Sequence, residues 1–316
     1  MLFNILILII SFIVLIKSGN WVVQALSCIA RFLKWSEFMV AFVMVAFVSS
    51  LPELFIGISS ALHGIPEASF GNIIGANVIN LTLAVGLAVF LMGGVQIERE
   101  LVKKDALYTA GVAILPLILI LDGKLSRVDG AILLVLFIFY ALWLFSKKER
   151  FSKVYNNNNQ HLNLKGFLKS IFMFLGGIIL LLISANLIIN RVVAVAETLK
   201  VSSVYIGIFL ISIGTALPET YFAVRAALKG KKEMILGNLM GAVIITSLFV
   251  LGIVALISPI EIIDFSPYLI ARIFLFIAAI SFFIFIKTGE RISKKEAIFL
   301  VAVYFAFVVA EILSVC

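Results

Sequence analysis

The chain has 316 residues, of which 63% are hydrophobic and only 13% charged, and its mean hydropathy is +1.21. Soluble domains are about half apolar and about a quarter charged, so a water-soluble globule is excluded. The 25 Lys and Arg against 17 Asp and Glu leave a net charge of +8, but the surplus falls in loops between apolar runs, which is topogenic charge and not the basic face of a nucleic-acid binder. A helix needs about 20 apolar residues to cross a bilayer. With Gly, Pro and charge clusters as punctuation, the apolar runs predict ten spans, at 2–33, 37–62, 69–93, 105–121, 129–146, 167–199, 202–228, 234–257, 266–286 and 296–314. The runs lack alternating apolar and polar residues, which excludes a closed barrel. The fold class is therefore an all-α polytopic membrane protein.

The first and sixth spans are long and carry interior polar residues, Lys17 and Asn20 in one and Asn186 and Asn190 in the other. At about 1.5 Å per residue they outreach the bilayer, so tilt or extension past the surface is expected. Residues 2–16 have no basic residue ahead of them and run into more apolar sequence, unlike a secretory signal. Cys28 and Cys316 cannot make a disulfide framework or a metal site.

Loops after the odd-numbered spans hold 19 of the 25 Lys and Arg, and the loops after spans 4 and 6 hold four. The positive-inside rule then puts the odd-numbered loops in the cytoplasm and both termini outside the cell membrane. The longest loop, 146–165, contains four consecutive asparagines at 156–159 and reads as a flexible cytoplasmic linker. It divides the chain into residues 1–146, a linker at 147–166, and residues 167–316.

Adding 166 to a residue number moves from one half to the other. Leu51-Pro52-Glu53 becomes Leu217-Pro218-Glu219, Gly71-Asn72 becomes Gly237-Asn238, and Gly75-Ala76 becomes Gly241-Ala242. Ser18 and Asn20 likewise match Ser184 and Asn186. Each repeat holds five spans, and five is odd, so the second copy enters the membrane from the opposite side. Inverted repeats related by an axis in the membrane plane are the usual build of secondary transporters, with the binding site near the midplane. A duplication kept only for packing would favour Leu or Ile, whereas the best-matched segments are polar and Gly-rich.

Glu53 and Glu219 lie within spans 2 and 7. An intramembrane carboxylate is costly unless it is paired, protonated or bound to a cation. Both follow prolines, Pro52 and Pro218, which have no N–H, so the carbonyls of Val48 and Gly214 lose their helical partner. Hydroxyls cluster on the same turns: Ser49 and Ser50 in one half, Ser212 and Thr215 in the other. Carboxylate, hydroxyl and carbonyl oxygens together suit hard cations such as Ca²⁺ or Na⁺. His and Cys are absent from the cluster, which disfavours zinc and copper, and no cofactor is expected. The glycines of the Gly-Asn blocks are read as packing residues. Asn72 and Asn238 recur at one repeat position and are read as support for the site, with Asn80 and its counterpart Thr246 as further ligands. Asp105, Asp122, Asp129 and Asp264 fall at span ends, where the interface would solvate them, and Glu311 falls near the outer end of the last span.

At these residues the chain resembles the calcium/cation antiporter superfamily, and most closely the prokaryotic sodium/calcium exchangers. Ser49-Ser50-Leu51-Pro52-Glu53 with Gly71-Asn72, Gly75 and Asn80, and Gly214-Thr215-Ala216-Leu217-Pro218-Glu219 with Gly237-Asn238 and Gly241, look like the two repeats of that family. The resemblance implies that spans 2, 3, 7 and 8 form the ion-binding core, that the glutamates bind Ca²⁺ and Na⁺ in competition, and that long spans 1 and 6 slide across the core. The family commonly carries Gly-Thr-Ser before Leu-Pro-Glu, whereas Val48 and Ala216 stand in place of Gly and Ser. Ala76 and Ala242 stand in place of serines, and Thr246 in place of Asn or Asp. A Ca²⁺ site resting on the carboxylates is thus expected, with weaker Na⁺ sites.

The expected function is exchange of Ca²⁺ for Na⁺ by alternating access, with protons as the alternative coupling ion and a passive channel as a weaker alternative. An intramembrane protease or nucleotide-driven pump lacks its residues here. The expected partners are the lipid bilayer and the transported ions, and the transport unit is expected to be a monomer.

Overall fold

The computed structural model describes residues 2–32, 47, 49–96, 100–146, 164–199, 203–230, 232–262, 266–288 and 291–315. The expected opening of span 2 at 37–46, Val48, most of the linker, Asp264 and Cys316 lie outside the described residues. The first half comprises α1 (Leu2–Phe32), α2 (Leu51–Leu62), α3 (Pro66–Ile79), α4 (Val85–Met92), α5 (Glu100–Leu119) and α6 (Arg127–Ser146), with short strands β1 (Val95–Gln96) and β2 (Lys124–Leu125). The second half comprises α7 (Leu164–Leu199), α8 (Ser203–Ile206), α9 (Ser212–Leu228), α10 (Lys232–Ile244), α11 (Leu251–Ile257), α12 (Ser266–Thr288) and α13 (Lys294–Val315), with β3 (Ile260–Glu261) and β4 (Arg291–Ile292). Among the described residues nine helices are long and apolar enough to span a bilayer, and the apolar α2 is a shorter tenth.

Among the described residues, three spans carry a complete π-helical turn partway along. π-helical turns at Asn80–Ala84 and Ile245–Val250 join α3 to α4 and α10 to α11, and a third at Gly207–Ile211 joins α8 to α9. The first two occupy equivalent places in the repeat and carry Asn80 and Thr246. Single π-turns inside α-helices concentrate at functional sites. The two spans that hold them are also the innermost: 83% of the α3–α4 window and 78% of the α10–α11 window are buried, against 22% for α6.

The inverted symmetry extends beyond the segments in which it is visible as residue identity. β1 pairs with β4 and β2 with β3, both antiparallel. Shifting β1 by 166 overlaps β3, and shifting β2 by 167 gives β4, so each strand pair maps onto the other. The helices that follow start with the same device. Ser126 donates through its N–H and its hydroxyl to Asp129, at 2.8 and 2.6 Å. Ser293 does the same to Glu296, at 2.6 and 2.7 Å. Both are capping boxes that satisfy orphan donors of the first helical turn. Close backbone approaches are paired too: a Cβ on Gly86 would lie 2.9 Å from the Ala297 carbonyl, and one on Gly252 would lie 3.0 Å from the Gly130 carbonyl.

Apolar packing separates into two cores. The larger joins α3–α6 with α10–α13 through residues such as Ile73, Val85, Leu239, Leu251, Leu275 and Leu300. The smaller joins α1 and α7 through Leu8, Leu15, Val22, Leu181, Ile188 and Val192, with Leu51, Ile56 and Ile211 on the facing helices. At Gly177 the two long helices approach so closely that a Cβ would lie 2.6 Å from Val22 Cγ2. The start of α1 and the C-terminal part of α7 are linked by a bond of 3.2 Å from Arg191 to the Asn4 side-chain oxygen.

Asp105, expected at a solvating interface, is instead enclosed, and so is Glu311 near the end of the last span. Asp105 is 8% exposed and Glu311 is fully buried. Asp129 is held by its capping role. These contacts form between distant segments, so position along the span did not reveal them.

Candidate cation site

Glu53 sits in the first turn of α2 and Glu219 in the middle of α9, and each is 1% exposed. Pro52 occupies the first turn, where the N–H that proline lacks would have had no helical partner. Pro218 lies inside α9, so the Gly214 carbonyl has no amide to accept from at that turn. The two halves thus present Leu-Pro-Glu differently: α2 begins there, while α9 runs through it.

The two glutamates are close enough for the charge of Glu219 to act on Glu53. Thr215 lies beside Glu53, and Ser49 lies beside Glu219. Each repeat therefore sets a hydroxyl beside the carboxylate of the other, as expected for two segments that cross at a pseudo-twofold axis. Among the described residues, Glu53 Oε2, both Glu219 oxygens, Asn80 Oδ1, Asn72 Nδ2 and both side-chain polar atoms of Asn238 are buried without a hydrogen-bond partner. An unmade buried hydrogen bond costs about 1–3 kcal/mol, and more for a charged group. Three of these atoms are carboxylate oxygens, an arrangement that a hard cation relieves.

The surrounding amides tie the halves together. Thr215 donates to Asn72 Oδ1 at 3.0 Å. Asn77 donates to Ser247 at 2.8 Å, and Thr246 lies 3.1 Å from Asn77 Oδ1 and 2.9 Å from the Ala242 carbonyl. Ser212 donates to the Ile208 carbonyl in its own helix, and Ser50 is buried with its carbonyl accepting from the Leu54 amide. Gly75 lets α3 approach this turn, since a Cβ there would lie 2.6 Å from Ser212 Oγ. The structure thus brings Glu53, Glu219, Ser49, Thr215 and Asn72 together, and sets Thr246 against Asn77. The sequence did not single out Asn77 and Ser247. Their repeat counterparts are Val243 and Leu81, so repeat symmetry hid them, and only the Gly75-Ala76-Asn77 run pointed toward Asn77.

Two inverted bundles that bury paired carboxylates at matched turns define a secondary cation antiporter. The sodium/calcium exchanger protein model matches residues 3–146 and 169–313, and the chain belongs to that family. The chain is 28% identical to the sodium/calcium exchanger MaX1 of Methanosarcina acetivorans, over 97% of each chain. It is 29% identical to the putative antiporter CaxA of Alkalimonas amylolytica, over 78% of each. It also superimposes on the sodium-calcium exchanger NCX_Mj soaked with Na⁺ and Sr²⁺, with a TM-score of 0.68, 25% identity and 97% of each chain covered. The chain is a multi-span membrane transporter and not an enzyme.

Proposed function

We propose that the chain exchanges Ca²⁺ for Na⁺ by alternating access, with one Ca²⁺ held between Glu53 and Glu219. The observation that carries this reading is the pairing of two buried, repeat-related carboxylates whose oxygens lack hydrogen-bond partners. Two negative charges balance one divalent ion. Ser49 and Thr215 complete its shell, while Asn80, Thr246, Ser50 and Ser212 offer oxygens for ions displaced to either side. Pro52, Pro218, Asn72 and Asn238 hold these groups in place. Na⁺ as the coupling ion is supported by the names of the family and of MaX1.

The separate core of α1 and α7 supports their movement as a pair across the site. Residues 1–146 and 167–316 act as the two repeats, joined by a cytoplasmic linker, with both termini outside. Labelling of Cys316 by an impermeant thiol reagent, in a Cys28→Ser background, reports that orientation.

Proton coupling is a second reading, favoured by one observation. Ala76, Ala216 and Ala242 are all buried and put methyl groups where hydroxyls would ligate Na⁺, while a close carboxylate pair binds a proton readily. Uptake of ⁴⁵Ca²⁺ into proteoliposomes under opposed Na⁺, K⁺ and H⁺ gradients separates the readings. Uptake driven by internal Na⁺ supports the first, uptake driven only by internal acid supports the second, and uptake indifferent to all three contradicts both.

A further inference from the structure

The two repeats are unequal at the cation site. Asn72 and Asn80 lie along α3 and the π-turn after it, and their counterparts Asn238 and Thr246 lie along α10 and its π-turn; all four are buried. In an inverted pair the α2–α3 turn and the α9–α10 turn sit at opposite ends of the bundle. α3 runs away from the first turn while α10 runs toward it. Asn72 and Thr246 therefore fall on the side of the α2–α3 turn, and Asn238 and Asn80 on the side of the α9–α10 turn.

Each side has its own carboxylate. Thr215 lies beside Glu53 and donates to Asn72 Oδ1, so Glu53 and Asn72 share one place. The repeat carries that relation to Glu219 and Asn238, on the packed helices α9 and α10. Asn80 joins them, since its π-turn packs against both α9 and α10. A Cβ on Gly57 would lie 3.2 Å from Val250 Cγ1, which sets Glu53, one turn before Gly57, level with Thr246, one turn before Val250. The counterparts Ala223 and Ala84 are fully buried and set Glu219 level with Asn80 in the same way.

The oxygens of the two sides are differently engaged. Toward the α2–α3 turn, Asn72 Oδ1 accepts from Thr215 at 3.0 Å, and Thr246 lies 3.1 Å from Asn77 Oδ1 and 2.9 Å from the Ala242 carbonyl. Toward the α9–α10 turn, both Glu219 oxygens, Asn80 Oδ1 and Asn238 Oδ1 are buried without a hydrogen-bond partner. Asn238 Nδ2 is unpartnered too, so turning that amide over still leaves an orphan oxygen there. Among the described residues, the unpartnered side-chain oxygens of the other side are Glu53 Oε2 and the Ser69 hydroxyl, one turn beyond Asn72. One carboxylate with two neutral amide oxygens balances a single positive charge and suits a hard cation.

We propose that a monovalent cation of the size of Na⁺ binds first on the α9–α10 side, between Glu219, Asn80 and Asn238, and that the opposite side is the weaker. Asn238 is then a ligand as well as a support. The inference rests on the exchanger reading: an ion held there engages Glu219 and competes with the shared Ca²⁺ from one side only.

Equilibrium binding of ²²Na⁺ to the purified full chain, without Ca²⁺ and at constant pH and ionic strength, tests it. The native chain is expected to bind one Na⁺ more tightly than any further ion. Asn238→Ala and Asn80→Ala, on different segments, should each weaken that first ion about tenfold, the loss of one bond to a charged group. Ser69→Ala, on the other side, should leave it unchanged. Binding of ⁴⁵Ca²⁺ to the same samples tests the exchanger reading separately, and bound ⁴⁵Ca²⁺ marks a variant as folded. A native chain that binds no ²²Na⁺ overturns the inference, whatever it does with ⁴⁵Ca²⁺. So does native Na⁺ affinity in both asparagine variants, or an equal loss in Ser69→Ala.

Discussion

Thr215 of α9 donates a hydrogen bond to Asn72 of α3 over 3.0 Å while standing beside Glu53 of α2. Three helices from both repeats therefore meet at one hydroxyl. Thr215→Val keeps the volume but leaves Asn72 Oδ1 buried without its donor, which costs about 1–3 kcal/mol. Initial ⁴⁵Ca²⁺ uptake is expected to fall roughly tenfold, and Thr215→Ser to restore most of it.

Asn77 bridges α3 to Thr246 and Ser247. Asn77→Leu strips Ser247 of that donor while Thr246 keeps the Ala242 carbonyl, and thermal unfolding in detergent should report a loss of about 1–3 kcal/mol. Adding Ser247→Ala should cost little more, because residues of one network are not additive.

Two glycines of the repeated blocks should behave differently. A Cβ on Gly75 would strike Ser212 and the Ile208 carbonyl, whereas one on Gly237 meets nothing within 4 Å. Gly75→Ala should forfeit about 1–3 kcal/mol through overpacking. Gly237→Ala should be neutral or add roughly 0.5–1 kcal/mol through helix propensity. The fraction of monodisperse protein after graded heating distinguishes them.

Ala76, Ala216 and Ala242 are 0%, 1% and 1% exposed. In a dry site a methyl group offers a monovalent ion nothing in place of an oxygen. Ala76→Ser, Ala216→Ser and Ala242→Ser together should steepen the Na⁺ dependence of Ca²⁺ flux. A native chain that already shows steep Na⁺ dependence, unchanged by the serines, contradicts the role given to these alanines.

The ten-span plan and the two glutamates were legible because each rests on local pattern. Hydropathy marks the spans, and identical residues at a shift of 166 mark the repeat. The capping boxes at Ser126 and Ser293 escaped notice because their acids differ, Asp129 in one and Glu296 in the other, and the shift there becomes 167. Asn77 and Ser247 escaped because their bond breaks the symmetry and joins residues 170 positions apart. The burial of Glu311 depends on which helices surround α13, and that is decided by tertiary packing.

The central claim is that Glu53 and Glu219 jointly hold one Ca²⁺. Equilibrium binding of ⁴⁵Ca²⁺ to the purified full chain, without Na⁺, tests it most directly. The account predicts one Ca²⁺ per native chain, displaced by Na⁺ or protons, and loss of at least about 100-fold in affinity in Glu53→Gln and in Glu219→Gln alike, since either change leaves one buried carboxylate for a divalent ion. Native-like Ca²⁺ affinity in either variant would contradict it.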